Sequence, residues 1–269
     1  MSWRRPRAVT PHDGWMSQVS SGLALAGFLW FVFAGFTLLA MGPLESLDAY
    51  FNVQPAPPGW VPVLHIMDRI GQRAVCLPIL AVVTFWCCRR QESWRPAWVV
   101  AISVFMLNLV VLILKVGLGR AEPVSADPSF FEGGMAYPSG HTANIVLVYG
   151  LCAYLLGRYG GLRRGALRAM WTLVVMLSLV MVVTSVTLRW HWFADLLAGL
   201  IVGGAVLTMT EAVDAAVPQA AFQDGLRPWL RRLPGRRGGE RTGGATTVPP
   251  VEANGVADLP PAMPHRKAP

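Results

Sequence analysis

The chain is poor in charge, in lysine, in histidine and in cysteine, and each shortage excludes something. Of 269 residues only 14% are Asp, Glu, Lys or Arg, while 54% are hydrophobic. A soluble domain of this size carries about a quarter of its residues charged, so an ordinary water-exposed fold is excluded. The four cysteines, Cys76, Cys87, Cys88 and Cys152, all fall within or at the ends of apolar runs. Cys87 and Cys88 are adjacent and no other cysteine is near them in sequence, which suits neither a disulfide framework nor a metal motif; they are read as packing residues. Lysine occurs only at Lys115 and Lys267, although lysine and arginine together number 23. That leaves Lys115, at the end of an apolar run, conspicuous.

What the chain has is long hydrophobic runs. Six are read, at 19–41, 70–88, 98–116, 142–157, 170–188 and 193–209. A helix needs about 20 predominantly apolar residues to cross the hydrocarbon core. The fourth and sixth runs are short and must lean on flanking residues or tilt. The first run follows Arg4, Arg5 and Arg7, as a signal peptide would, but its length and the lack of an Ala-x-Ala site favour a retained anchor. The expected fold is therefore all-α: a polytopic membrane protein with a six-transmembrane helix bundle. Residues 1–18 form an N-terminal segment, 19–212 the membrane domain, and 213–269 a basic, mostly disordered tail in which prolines recur without apolar periodicity. Between residues 43 and 69 a short interfacial helix is expected.

The arginines set the orientation. They cluster before the first span, in the second connection (Arg89, Arg90, Arg95), in the fourth (Arg158, Arg163, Arg164, Arg168) and in the tail, whereas the first connection holds Glu45, Asp48 and Asp68. The positive-inside rule then places both termini in the cytoplasm and connections three and five on the opposite face. The same distribution explains the formal net charge of +8 through anionic lipid headgroups, so no nucleic-acid partner is expected. The composition and compact chain point to a bacterial cell membrane. Nothing in the sequence indicates an oligomeric state.

Three stretches in those two connections carry chemistry. Lys115 is an ionisable residue bordering a membrane span, where a side chain either snorkels or serves a function. In Pro138-Ser139-Gly140-His141 the proline stops any upstream helix, and Ser139 and Gly140 can present N–H groups to an anion where a new helix starts. His141, next to them, is placed for a general acid. His191 and Asp195 are four residues apart and on a helix would share one face, so that the carboxylate fixes the imidazole tautomer and activates its other nitrogen.

The order Lys, Pro-Ser-Gly-His, His-x-x-x-Asp, set among six spans, resembles the type 2 phosphatidate phosphatase superfamily of membrane lipid phosphatases. The resemblance implies that His191 attacks phosphorus to form a phosphohistidine, with Asp195 orienting it. It implies that His141 protonates the leaving oxygen and then activates water. Lys115, Arg120, Ser139 and Gly140 would hold the phosphoryl oxygens, and no metal or other cofactor is implied. Two positions depart from the family pattern: Glu122 precedes Pro123 where an arginine is expected, and Thr184-Ser185 stand where Ser-Arg is expected. Arg120 and Arg189 lie within four residues of these positions and are read as replacements. The expected substrate is a lipid phosphate in the bilayer: phosphatidate, phosphatidylglycerol phosphate or undecaprenyl diphosphate. Two other readings stay open, transfer of the phosphoryl or headgroup to an alcohol, and a non-catalytic lipid-binding protein.

Overall fold

The computed structural model describes residues 11–52 and 55–217, with side chains described from residue 19. Every regular element among them is helical. The helices are α1 (Pro11–Ala40), α2 (Glu45–Phe51), α3 (Val61–Arg69), α4 (Arg73–Gln91), α5 (Arg95–Leu118), α6 (Gly140–Arg158), α7 (Arg164–Thr187) and α8 (Phe193–Ala216). Within α6 the stretch Ile145–Tyr149 is wound as a π-helix, one turn below His141.

Six helical segments are long and apolar enough to cross a membrane. The all-α, six-span expectation holds, and α2 and α3 occupy the region where a short helix was expected. The fourth and sixth spans are longer than their apolar runs, at 19 and 24 residues. The helices also overrun the expected domain limits, since α1 begins at Pro11 and α8 continues to Ala216. The N-terminal arginines and the tail beyond residue 217, with its expected disorder, lie outside the described residues.

The side chains are distributed as a lipid solvent requires. Phe31, Val82, Phe105 and Val116 point outward and are 65–76% exposed. Hydrocarbon tails are as apolar as these residues, so interhelical packing in a bilayer comes from close contact and buried polar groups. The central pair is α6 and α8, whose spans are the most buried. Two glycines of α8 make their approach possible. A Cβ on Gly199 would lie 2.5 Å from the Ser139 carbonyl oxygen and would overlap Thr142 Oγ1; one on Gly203 would lie 2.8 Å from the Ala143 carbonyl oxygen. Asn108 donates to Val104 O of its own helix at 2.7 Å.

A buried polar cluster closes the bundle end opposite His141. Arg95 Nε contacts Asp214 Oδ1 at 2.7 Å, and Tyr154 and Tyr159 both donate to Asp214 Oδ2 at 2.5 Å. It ties α5, α6 and α8 together where the arginine-rich connections lie.

Candidate active site

The two histidine stretches, about fifty residues apart in the chain, are joined directly. Ser139 donates its backbone N–H to the Asp195 carbonyl at 2.9 Å, and Thr142 Oγ1 donates to Leu196 O at 3.1 Å. The start of α6 is thereby bonded to the first turn of α8. His141 and His191 open from this junction onto one cavity of about 560 Å³.

His191 does not share a helix face with Asp195, contrary to the spacing argument. The helix begins at Phe193, and His191 lies in the turn before it. Asp195 reaches backward to accept the Trp192 N–H at 2.9 Å, the usual work of an acidic side chain at the third helical position. That reach leaves its Oδ2 3.7 Å from His191 Nδ1. The imidazole is mostly buried, and among the described residues its Nδ1 makes no hydrogen bond.

Arg120 is placed differently from its expected role. It has no solvent exposure and does not line the cavity. Its Nη1 lies 2.6 Å from Asp195 Oδ1, its Nη2 contacts Asp48 Oδ2, and its Nε donates to Pro128 O at 3.0 Å. The guanidinium is sandwiched between the rings of Phe130, at 4.6 Å, and Trp192, at 5.7 Å. Arginine suits this position because its planar fork bridges two carboxylates at once. Asp48 in turn accepts the Ala194 N–H at 2.8 Å, so Asp48 and Asp195 both cap α8. Burial pushes the Asp48 carboxyl above the ordinary range, and Arg120 and the Ala194 amide pull it back. Arg120 thus supports Asp195 from behind and sends no charge into the cavity.

Arg189 does line the cavity. It gets there through a turn, since α7 ends at Thr187 and Arg189 adopts φ +56°. Trp190 N–H bonds Ser185 O at 3.1 Å and Arg189 N–H bonds Val186 O at 3.0 Å, a helix-terminating pair with Arg189 in the left-handed position. Glycine usually fills that position. Its side chain is steadied by Asn52 Oδ1 at 3.0 Å and Pro123 O at 3.2 Å. Lys115 and Gly140 are also in the cavity wall, and Lys115 Nζ donates to Met135 O. Ser139 is fully buried; its N–H is used by Asp195, and among the described residues no partner meets its hydroxyl.

Sequence reasoning missed three residues. Arg73, at the start of α4, is exposed and lines the cavity beside Lys115 and His141. Asp48 completes the Arg120 cluster, and Asp68 lies 3.5 Å from His141. A signal for Arg73 was present, since it is an arginine near a connection otherwise poor in positive charge. Glu122 is in the cavity wall too. Among the described residues, no group of three His, Cys, Asp or Glu side chains gathers as a metal site would.

The chain is similar to known proteins in sequence and in fold. The sequence model of the PAP2 superfamily matches residues 96–216. Phosphatidylglycerophosphatase B of Bacillus subtilis (strain 168) is 22% identical over 156 residues, which cover 58% of this chain and 75% of that protein. The fold is similar to the crystal structure of a transmembrane PAP2-type phosphatidylglycerolphosphate phosphatase from Bacillus subtilis, with a TM-score of 0.63 and 18% identity, covering 72% of this chain and 98% of the other. The matched segment 96–216 holds Lys115, the Pro-Ser-Gly-His turn and the His191–Asp195 pair, and it is similar to the PAP2 superfamily.

Proposed function

We propose that the protein is a membrane lipid phosphatase acting through a phosphohistidine. The observation that carries this reading is the meeting of His141, His191 and cationic side chains on one cavity, with Asp195 buried behind His191. His191 Nε2 attacks phosphorus while Asp195 holds the Nδ1 side and supports the charge that develops on the ring. His141 gives its proton to the departing oxygen, then takes one from the water that releases phosphate; such assistance is worth about 10² to 10⁴ in rate. Lys115, Arg189 and Arg73 stabilise the phosphoryl oxygens, with the Gly140 N–H directed at the same group. No metal or cofactor takes part in this scheme.

The substrate is a lipid phosphoester that enters from the bilayer. Phosphatidylglycerol phosphate is the first candidate because the relatives carry that name; phosphatidate and undecaprenyl diphosphate follow. Arg89, Arg90, Arg95, Arg158, Arg163 and Arg164 lie at the bundle end opposite the cavity, and the positive-inside rule assigns that end to the cytoplasm. Both termini are then cytoplasmic and the chemistry extracytoplasmic.

The test is phosphate release by purified protein in detergent, with a chelator present, from each of the three lipids and alongside His191→Ala. Release that survives chelation and vanishes in the variant is expected; release by the variant at the parent rate overturns the mechanism. Glu122 favours a second reading, transfer to an alcohol, because a carboxylate in the cavity wall repels phosphate but can bind a hydroxyl. Added glycerol would then yield a phosphoglycerol product in place of free phosphate.

A further inference from the structure

Asp68 belongs to none of the three motif stretches and lies outside the matched segment 96–216. It sits near the end of α3 with no solvent exposure. Its Oδ2 is 3.5 Å from His141 Nε2 and accepts a 3.1 Å hydrogen bond from Gln72 Nε2, while Oδ1 is buried with no donor among the described residues. Among the described residues, His141 is the only basic side chain within 4 Å of this carboxylate. Leaving a buried carboxylate without a cation costs several kcal/mol, so its charge is best compensated when His141 is protonated.

The corner between α3 and α4 is built to hold this contact. Asn144 Nδ2 donates to Gly71 O at 3.4 Å, and the Tyr149 hydroxyl donates to Ile70 O at 2.9 Å. A Cβ on Gly71 would stand 3.2 Å from both Cβ and O of His141 and 2.9 Å from the Met181 methyl, so the corner is packed closely against α6. Residues of α6 at 141, 144 and 149 therefore all bear on residues 68–72.

We infer that Asp68 is a positioning residue for His141, holding its ring and stabilising the protonated imidazole that the first chemical step requires. The inference rests on the phosphatase reading. In that step the P–N bond to His191 forms, the P–O bond to the leaving group breaks, and the proton of His141 goes to the leaving oxygen. In the second step water attacks phosphorus, its proton goes to His141, and the P–N bond breaks to restore His191. Asp68 keeps its charge throughout. The other charged groups facing His141 are Arg73 of α4, Lys115 of α5, Glu122 of the following loop, and Arg189 and His191 before α8. The cations among them disfavour a protonated His141, which makes a close carboxylate necessary. The result is two histidines, each backed by its own buried aspartate.

Asp68→Asn keeps size and polarity and removes the charge. Two substrates are compared, phosphatidate and 4-nitrophenyl phosphate, whose phenolate departs without a proton. The expected result on phosphatidate is a loss of at least about tenfold in kcat/KM, a part of the range for general acid assistance. The basic limb of the pH profile should move to lower pH, because deprotonation of His141 becomes easier. 4-Nitrophenyl phosphate should lose much less, and Asp68→Glu should recover part of the phosphatidate activity. Unchanged kcat/KM and pH limbs overturn the inference, as does an equal loss on both substrates with a lowered melting temperature, the mark of a merely structural residue. A parent protein that hydrolyses neither ester nor the other candidate lipids removes the phosphatase reading and this inference with it. An active parent with an unaffected Asp68→Asn removes the inference alone.

Discussion

Arg120 and Asp195 meet at 2.6 Å with neither side chain exposed. The same guanidinium holds Asp48, so one cation bridges two buried carboxylates that cap α8. Removing it strands both. Breaking a buried ion pair from one side typically costs about 3–5 kcal/mol. Arg120→Ala should therefore lower the melting temperature in detergent markedly as well as the activity. A variant of unchanged stability and reduced phosphate affinity would return Arg120 to the phosphate-binding role that sequence spacing assigned to it.

The cationic wall is expected to divide from the Arg120 cluster in experiment. Arg189→Ala and Arg73→Ala change residues of the cavity wall, so kcat/KM should fall by about 10² for each, the lower end for a lost electrostatic contact to a transition state. The melting temperature of Arg73→Ala should stay near that of the parent. Arg189→Ala also gives up bonds to Asn52 and Pro123 and should lose some stability. Kinetics with phosphatidate and a thermal melt on the same preparations check both. Parent-like kcat/KM in Arg73→Ala would remove that residue from the site.

Gly199→Ala should disturb the junction between the two histidine stretches. The added Cβ would lie 2.5 Å from Ser139 O, so α6 and α8 must separate. Overpacking of this kind costs about 1–3 kcal/mol. Gly204→Ala is the control, because nothing lies within 4 Å of its Cβ position. Melting temperatures of the two variants should differ in that order, and only Gly199→Ala should lose activity below its melting point.

At the other bundle end, Asp214→Ala leaves Arg95, Tyr154 and Tyr159 without their shared acceptor. The expected outcome is a loss of stability of about 3–5 kcal/mol. Activity per folded molecule should be unchanged at low temperature, since the cluster lies at the end away from His141. Unfolding followed by circular dichroism, with activity assayed in parallel, separates the two effects.

The six spans and the three motif stretches were legible because each is a local property. A run of apolar residues long enough to cross hydrocarbon must be helical to satisfy its own backbone, whatever lies beside it. Lys115, His141 and His191 were likewise found from their positions at the ends of such runs, and the structure brings all three to one cavity. Even the His191–Asp195 proximity was foreseen, although it arises from a helix cap and not from a helix face.

Whether a charged residue faces a cavity or is sealed behind it depended on which distant elements arrive beside it. Arg120 is two residues from Glu122 in the chain, yet the first is buried by Asp48 of α2, Asp195 of α8 and the Phe130 loop, and the second lines the cavity. Asp68 had no partner in sequence and gained His141 through the packing of the α3–α4 corner on α6. Arg73 joined the wall by the same packing. Spacing along the chain reports what one helix or turn can do alone. Burial of charge, which decides whether an arginine is a prop or a ligand, is a property of the assembled bundle because desolvation and compensation come from elements far apart in sequence.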